Sequence, residues 1–253
     1  MSASTTYESN ISNIQRTLIS VIFMGMLPLS SLNATEDQTI RTPLKDALTG
    51  FYAGVGIGYQ NLSSKGQTFM MSQGPSTTDK MNLSGNNAVG EVHVGLGKLL
   101  NSFYYGGKLY ANISSTKASQ TKSTEKPPIF MDNKLQLSKN FGIGLVGHVG
   151  SKIGTNNVIY GILGVSYGQF KINYTETDDQ VSGKQTKKLL GLPLGIGFAK
   201  AITESVRLFG EGTCTIYQSF LTSDLYTGGD DITFRTKIAP YEFNLIVGVS
   251  YTF

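Results

Sequence analysis

The last fourteen residues of the chain, 240–253, constrain its fold more than any other segment. Every second side chain in this segment is apolar, with aromatic residues at both ends of the series: Tyr241, Phe243, Leu245, Val247, Val249, Tyr251 and Phe253. A strand that crosses a lipid bilayer needs about 9 to 11 residues and places such a series toward lipid. The segment therefore predicts a bilayer-spanning strand. The intervening side chains, beginning with Glu242 near the outer rim, face inward.

Seven earlier segments repeat this alternation and are predicted as further strands: 49–61, 87–99, 102–115, 135–149, 158–170, 188–200 and 205–219. The connections are alternately long (62–86, 116–134, 171–187, 220–239) and short (100–101, 150–157, 201–204). Outer-membrane barrels have this rhythm because their external loops are long and their periplasmic turns short. The pattern predicts an all-β protein, an eight-stranded antiparallel up-and-down transmembrane barrel. Its last strand should pair with 51–59, since an open edge is not tolerated in lipid.

Composition excludes several other classes of protein. The mean hydropathy is −0.07 and only 15% of residues are charged, and no long apolar run follows the N-terminal region, which argues against a helical membrane protein. A net charge of +4 without a dense basic cluster argues against nucleic-acid binding. The single cysteine, Cys214, excludes an internal disulfide, and no Cys/His spacing predicts a metal site.

The N-terminal residues 1–34 are predicted to be a signal peptide. An apolar run at 18–29 follows Arg16 and is succeeded by small residues up to Ala34, which is too short a run to span a bilayer as a helix. A buried core helix is the alternative, and Pro28 disfavours it. Residues 35–48 are then expected to form a flexible periplasmic lead-in, and 49–253 the barrel.

Besides Glu242 near the outer rim, six ionisable residues fall on the predicted inner face: Glu91, His93, Lys108, His148, Arg207 and Glu211. An eight-stranded barrel is filled by side chains, so buried charges there must pair with one another. We expect Arg207 and Glu211 to pair with Glu91 and Lys108. A proton or ion path through these residues is the alternative.

Three positions depart from the simple alternation. Lys139 falls on the predicted lipid face, where it would have to extend toward the headgroups. Pro193 removes one ladder donor and favours a bulge. In 158–170, two apolar series compete, so the sequence leaves the inner face of this strand open.

Other motifs carry no predicted chemistry. Residues 142–147 match G-x-G-x-x-G, but they lie within a predicted strand and no helix follows. Neither histidine is expected near the outer rim, so no catalytic triad is predicted. The acidic pairs 178–179 and 230–231 lack the spacing of a calcium loop. Asn61 and Asn82 begin Asn-x-Ser/Thr sequences that have no meaning for glycosylation in a bacterium.

The opening strand G-F-Y-A-G-V-G-I-G-Y at 50–59 and the terminal aromatic strand give the chain a family resemblance. It resembles the small OmpA/OmpX-type outer-membrane barrels and related surface antigens of Gram-negative bacteria over residues 49–253. The resemblance implies a bacterial outer-membrane location with both termini periplasmic. It also implies that Tyr251 and Phe253 act as a signal to the barrel-assembly machinery, and that the chain is a monomer in lipid and lipopolysaccharide.

The function expected from this resemblance is structural. Four long external loops would serve adhesion or another contact with a host or environmental surface, without enzymatic activity, cofactor or metal. A narrow porin-like channel and a lipid-modifying enzyme are the two alternatives, because fold alone does not decide function.

Overall fold

The computed structural model describes residues 46–71, 77–120, 134–175, 182–222, 227–228 and 232–253. The predicted signal peptide and the acidic pairs 178–179 and 230–231 lie outside these residues. Within them, no helix is long and apolar enough to cross a membrane. A short 3-10 helix, Asp46–Leu48, is followed by the strands β1 (Gly50–Met71), β2 (Thr77–Leu100), β3 (Phe103–Gln120), β4 (Lys134–Ile153), β5 (Asn157–Thr175), β6 (Ser182–Ala201), β7 (Val206–Tyr217), β8 (Phe220–Leu221), β9 (Thr227–Gly228) and β10 (Ile232–Thr252).

The eight long strands form a closed antiparallel barrel in which each strand pairs with its neighbours in sequence. β10 completes the ring by pairing with β1, from Tyr52 opposite Thr252 to Met71 opposite Thr233. The short strands β8 and β9 add to the edge of β10 beyond the end of β7. The predicted fold and the predicted pairing of the last strand with 51–59 are both confirmed.

The barrel has two distinguishable ends. We call the end that carries Asp46–Leu48 and Phe253 the terminal end, and the opposite one the distal end. The strands are joined by tight turns at the terminal end, where Asn101 (φ 54°) and Gly154 (φ 65°) adopt the left-handed conformation that such turns require. The longer connections, including 72–76 and 121–133, all lie at the distal end.

The strands extend much further toward the distal end than the sequence predicted. The supposed loop 62–86 is largely strand, since β1 runs to Met71 and β2 begins at Thr77. The same holds in part for the other three predicted loops, because β3 runs to Gln120, β6 begins at Ser182 and β10 begins at Ile232. The prediction of four long loops was therefore wrong for much of their length.

The cause of this error is an inversion of polarity along the barrel wall. In β1, Ile57 faces outward with 73% of its surface exposed, whereas Leu62 faces the lumen and is 0% exposed. From Asn61 to Gln67 the outward positions are polar, as at Lys65. An alternation with apolar residues inside and polar ones outside is that of a water-exposed sheet, and it lacks the lipid-facing series on which the prediction depended.

The outward face is accordingly divided into two zones. An apolar belt surrounds the terminal part of the barrel, and at its terminal margin the ring of Phe253 contacts those of Phe51 and Tyr251. Tyr59 and Tyr167 lie near its distal margin. On β1 the belt covers residues 51–59, nine positions, which fits a tilted strand crossing the hydrocarbon core. The wall beyond Tyr59 is the distal extension.

A bulge in β4 reverses the faces of its distal part. Opposite β5, the register shifts between Lys139 and Phe141, so that Asn140 is the extra residue and odd-numbered positions before it point inward. Lys139 is therefore fully buried in the lumen and does not face lipid. The predicted lipid-facing position of Lys139 was wrong because alternation alone does not reveal a bulge.

Pro193 does not produce the expected bulge. The register of β5 and β6 is unchanged on both sides of it, with Leu163 opposite Leu194 and Ser166 opposite Gly191. Proline has no amide hydrogen to donate, so the ladder has a short gap between these two pairs. No residue is inserted there, and the register is kept.

The structure also decides the inner face of β5. Its even-numbered residues face the lumen, and they include the buried side chains of Val158, Tyr160, Ile162 and Phe170. The apolar residues Ile159, Leu163 and Val165 face outward.

The end of the predicted flexible lead-in closes the terminal mouth of the barrel. Ala47 and Leu48 of the 3-10 helix are buried. Thr252 Oγ1 donates a hydrogen bond to the Ala47 carbonyl at 2.9 Å, and the Leu99 amide donates one to Thr49 Oγ1 at 3.2 Å. Residues 46–49 thus belong to the packed barrel.

Glycine at position 58 permits the close approach of β1 and β10. A Cβ atom added at Gly58 would overlap the carbonyl oxygen of Leu245, whereas one added at Gly90 would have nothing within 4 Å. We predict that Gly58→Ala lowers the free energy of unfolding by about 2 kcal/mol through overpacking. Gly90→Ala, the matched control, should change it by less than about 0.5 kcal/mol.

Urea titration of the folded protein in detergent micelles, followed by circular dichroism, measures both variants. Equal effects of the two substitutions would show that the close approach of Gly58 to Leu245 is not the cause of the destabilisation.

Candidate functional site

The lumen is filled by apolar side chains and two layers of buried charge. Nearest the terminal end are Leu48, Leu99 and Val158, which belong to an apolar cluster, here the terminal cluster, that continues around the Lys108 layer through Tyr110 and Phe209. The Lys108 layer and then the Lys139 layer follow. The distal cluster closes the lumen beyond them with the apolar side chains of Leu62, Leu83, Ala118, Leu135, Leu137, Phe170, Ile172, Leu189, Tyr217 and Ile238.

Lys108 lies at the centre of its layer between two carboxylates. Its Nζ donates to Glu91 Oε1 at 3.0 Å and also to Glu211 Oε2. The rings of Tyr110 and Phe209 lie 5.5 and 5.7 Å from the same nitrogen. All three charged side chains are more than nine-tenths buried, so their attraction acts in a medium of low polarity and is weakly screened.

Both predicted inward histidines contact this layer. Tyr160 donates to Glu211 Oε1 at 2.9 Å, and its ring stacks on His148 with centroids 4.6 Å apart. His148 Nε2 lies 3.9 Å from Glu211. His93 Nδ1 lies 3.2 Å from Glu91 Oε1. The two histidines therefore lie beside the carboxylates that pair with Lys108.

Arg207 does not join a carboxylate as the sequence analysis expected. Its guanidinium carbon lies 3.4 Å from the centroid of the Tyr52 ring, and its Nη1 donates to Tyr104 Oη at 3.4 Å. A guanidinium is more weakly hydrated than an ammonium and stacks well on aromatic faces, which makes Arg the cation best suited to such a place.

The six predicted residues thus occupy one region of the lumen, and their formal charges cancel. With neutral histidines, Lys108 and Arg207 balance Glu91 and Glu211. Burial of an unbalanced charge is costly. Because the charges of this layer cancel, it can be enclosed in the lumen at a lower cost.

The Lys139 layer is a second buried ion pair that the sequence analysis missed. Lys139 Nζ contacts the two carboxylate oxygens of Glu242 at 2.8 and 2.6 Å. Tyr217 Oη and Asn244 Nδ2 each donate to Glu242 Oε1 at 3.1 Å, and Gln60 Nε2 donates to Oε2 at 3.4 Å. The carboxylate therefore has four donors, and this satisfies the lone pairs that burial removes from water.

The same network extends to β3 through Gln60. Ser114 Oγ and Thr116 Oγ1 donate to Gln60 Oε1 at 2.5 and 2.7 Å, and Ser114 Oγ also lies 3.2 Å from the Lys139 carbonyl. A sequence signal for this layer existed, because Glu242 was placed inward without a cation opposite it. The bulge at Asn140 hid the partner.

Between the two charged layers lies a cavity of about 10 Å³, lined by Glu91, Lys108, Tyr110, Asn112, Val146, Ile162, Pro193, Glu211, Thr213, Asn244 and Ile246. That volume is about the space for a single water molecule. Apolar clusters close the lumen on both sides of it. This cavity therefore has no room for a ligand larger than about one water molecule, and the side chains around it serve packing and charge pairing.

Three neighbouring side chains, those of Ser250, His93 and Glu91, have the residue types of a catalytic triad. Ser250 Oγ lies 3.0 Å from His93 Nε2, and His93 Nδ1 lies 3.2 Å from Glu91. The second contact lacks the alignment of a hydrogen bond, and Glu91 also accepts from Lys108. Ser250 is 1% exposed and does not line the cavity. A triad needs a nucleophile that a substrate can reach, so this arrangement is structural.

Comparison with known families agrees with this geometry. A sequence model of the outer membrane protein beta-barrel domain matches residues 20–253. The chain belongs to this family. The outer-membrane barrel so identified is located in the bacterial outer membrane. The match begins within the predicted signal peptide, and cleavage near Ala34 stays a prediction.

Solved structures similar to this outer-membrane barrel have low sequence identity to it. The attachment invasion locus protein Ail of Yersinia pestis is 15% identical, with 81% of this chain and 99% of that one covered and a TM-score of 0.32. OprG of Pseudomonas aeruginosa is 13% identical, with 83% and 98% covered and a TM-score of 0.46. The outer membrane protease OmpT of Escherichia coli is 11% identical, with 85% and 99% covered and a TM-score of 0.47. No curated protein matches.

Removing one carboxylate from the Lys108 layer should destabilise the barrel. Glu211→Gln leaves two buried cations against one carboxylate and weakens the acceptor for Tyr160. We predict a loss of about 3 kcal/mol in the free energy of unfolding. The control Glu204→Gln changes an exposed terminal turn and should have almost no effect. Urea titration that gives the same midpoint for both variants would contradict the buried pairing.

The inward position of Lys139 is tested by a double-mutant cycle with Glu242. Lys139→Met alone leaves a buried carboxylate without its cation and should cost about 3 kcal/mol. The double variant with Glu242→Gln should cost at least about 1 kcal/mol less than the sum of the single variants. If Lys139 faced lipid, Lys139→Met would leave the unfolding free energy unchanged or raise it, because lysine is unfavourable in the hydrocarbon region.

Proposed function

We propose that this outer-membrane barrel is a closed surface protein that acts through its distal extension. The observation that carries the proposal is the inversion of polarity at Leu62. Beyond this point the wall is polar outside and apolar inside, as for a water-exposed structure. Such a wall projects past the membrane and presents the distal connections for adhesion or another surface contact.

A narrow channel is the weaker alternative. Two apolar clusters and two layers of paired charges lie across the lumen, and the one described cavity within it has room for about one water. Side-chain filling of this kind is typical of the smallest barrels. A lipid-modifying or proteolytic enzyme has no described arrangement of reachable catalytic groups to support it.

The proposed orientation places both chain termini on the periplasmic side and the distal extension outside the cell. Short turns at the terminal end and longer connections at the distal end support this orientation, which is the usual one for such barrels. We further propose that the chain is a monomer in lipid and lipopolysaccharide. Tyr251 and Phe253, which are 51% and 75% exposed, would form the signal to the assembly machinery. If so, Phe253→Ser should reduce the amount of folded barrel recovered from outer membranes.

Orientation is tested with an epitope tag inserted at one of two sites. A tag within 121–133 should bind antibody on intact Gram-negative cells that express the protein. A tag at Thr155, in a terminal-end turn, should bind only after the outer membrane is permeabilised. Antibody binding to the Thr155 tag on intact cells would reverse the proposed orientation.

Adhesion is tested by shortening the β1–β2 hairpin. Because Gly66 lies opposite Met81, residues 67–80 can be replaced by an Asn-Gly turn without changing the register below it. Cells expressing the shortened protein should adhere less than wild type to an epithelial monolayer and to immobilised matrix proteins. The 121–133 tag reports the amount on the surface. Equal adherence by wild type, the shortened variant and cells without the protein would refute the adhesive role.

A further inference from the structure

Four consecutive strands of the barrel carry an unusual distribution of charge. β3, β4, β5 and β6 contain no Asp or Glu, and each contains lysine. Lys108 and Lys139 of this group point inward and are paired. The remaining lysines include a set on the outer face of the distal extension.

We define the lysine patch as Lys117, Lys171, Lys184 and Lys188. These side chains occupy outward positions on β3, β5 and β6, and three of them are exposed while Lys171 is half-buried. None of the ion pairs formed by the described residues involves them. Their charges therefore face the surroundings without an anionic partner from the described wall.

Strand pairing brings the four lysines together. Lys117 lies opposite Ser138 of β4, and Ser138 lies opposite Lys171 of β5. The two lysines are thus two strands apart in one row, about 10 Å at the usual strand spacing.

On the other side of this row, Lys171 lies opposite Thr186 of β6. Lys184 and Lys188 are the residues two positions before and after Thr186, so both are diagonal neighbours of Lys171. No two lysines lie directly opposite one another, an arrangement that limits their mutual repulsion.

The patch adjoins the apolar belt. Along β6, Lys188 is the next outward residue after Leu190 of the belt. Along β5, Gln169 is the one outward residue between Tyr167 and Lys171. Lysine side chains at this depth extend toward the headgroup region while their methylene stems cover apolar surface.

We infer that the lysine patch binds the phosphates of a membrane lipid whose headgroup carries two of them. Phosphate is the anion present at the depth of the patch, and clustered lysines beside a membrane attract anionic lipid. The patch is wider than one phosphate, because Lys117 and Lys171 lie two strands apart, at a distance of about 10 Å. The acyl chains of the same lipid would pack on the belt beneath, on Leu190 and Tyr167.

The occupant is a lipid and not a peptide or a nucleic acid because the patch continues into apolar surface. A soluble polyanion would use the charges alone, whereas a lipid also covers the belt below them. The site lies outside the lumen and does not depend on whether the distal extension is adhesive, but the inference rests on the proposed orientation, which places the patch at the outer face of the membrane.

The test uses the full-length protein purified in detergent, with native mass spectrometry to count bound lipid. The probes are bisphosphorylated lipid A, monophosphorylated lipid A and phosphatidylglycerol. The variant K171Q/K188Q removes two charges from the patch. The control K98Q/K200Q removes two exposed lysines from the terminal end, and circular dichroism verifies that both variants are folded.

We expect wild type and K98Q/K200Q to bind bisphosphorylated lipid A equally, and K171Q/K188Q to bind it about 30-fold more weakly. Monophosphorylated lipid A and phosphatidylglycerol should bind more weakly to wild type and show a smaller difference between the variants. Unchanged binding by K171Q/K188Q, equal losses in both variants, or equal affinity for the one- and two-phosphate lipids would each overturn the inference.

Discussion

Closing eight strands in a membrane pairs the backbone groups of every strand, but it creates a narrow lumen that side chains must fill. In this protein the condition is met by layers whose charges cancel. Lys108 lies between Glu91 and Glu211, and Lys139 is held by Glu242. Tyr160 also donates to Glu211, and Tyr217, Asn244 and Gln60 donate to Glu242, so these two carboxylates have hydrogen bonds that replace the lost water. Together with the apolar clusters, these layers fill the lumen and stabilise the barrel from within.

The same strands serve two solvents in succession. Near the terminal end their apolar side chains face lipid and their polar ones face inward, whereas beyond Tyr59 the arrangement reverses. The ladder between β1 and β10 continues through this change without a break in register. In these two strands the reversal therefore depends on side-chain polarity alone, whereas in β4 a bulge contributes to it. It places strands, where long loops were expected, at the boundary between the membrane and its surroundings.

Sequence analysis identified those features that depend on local alternation. The lipid-facing series of 240–253, the closure onto 51–59 and the inward positions of the six ionisable residues all follow from a period of two. Features that depend on a comparison between strands were missed. The bulge at Asn140 moved Lys139 inward, and Arg207 found aromatic rings where a carboxylate was expected. The distal extension was mistaken for loops because its apolar residues changed face at Leu62.

The central claim is that the filled lumen does not conduct, and recording across a planar bilayer tests it most directly. Purified wild-type protein, with insertion verified by protease protection, should give no resolvable conductance steps in concentrated salt at either polarity. Stable, reproducible conductance steps from the wild-type protein would show that the layers of Lys108 and Lys139 let ions pass, and would contradict the account of a closed barrel.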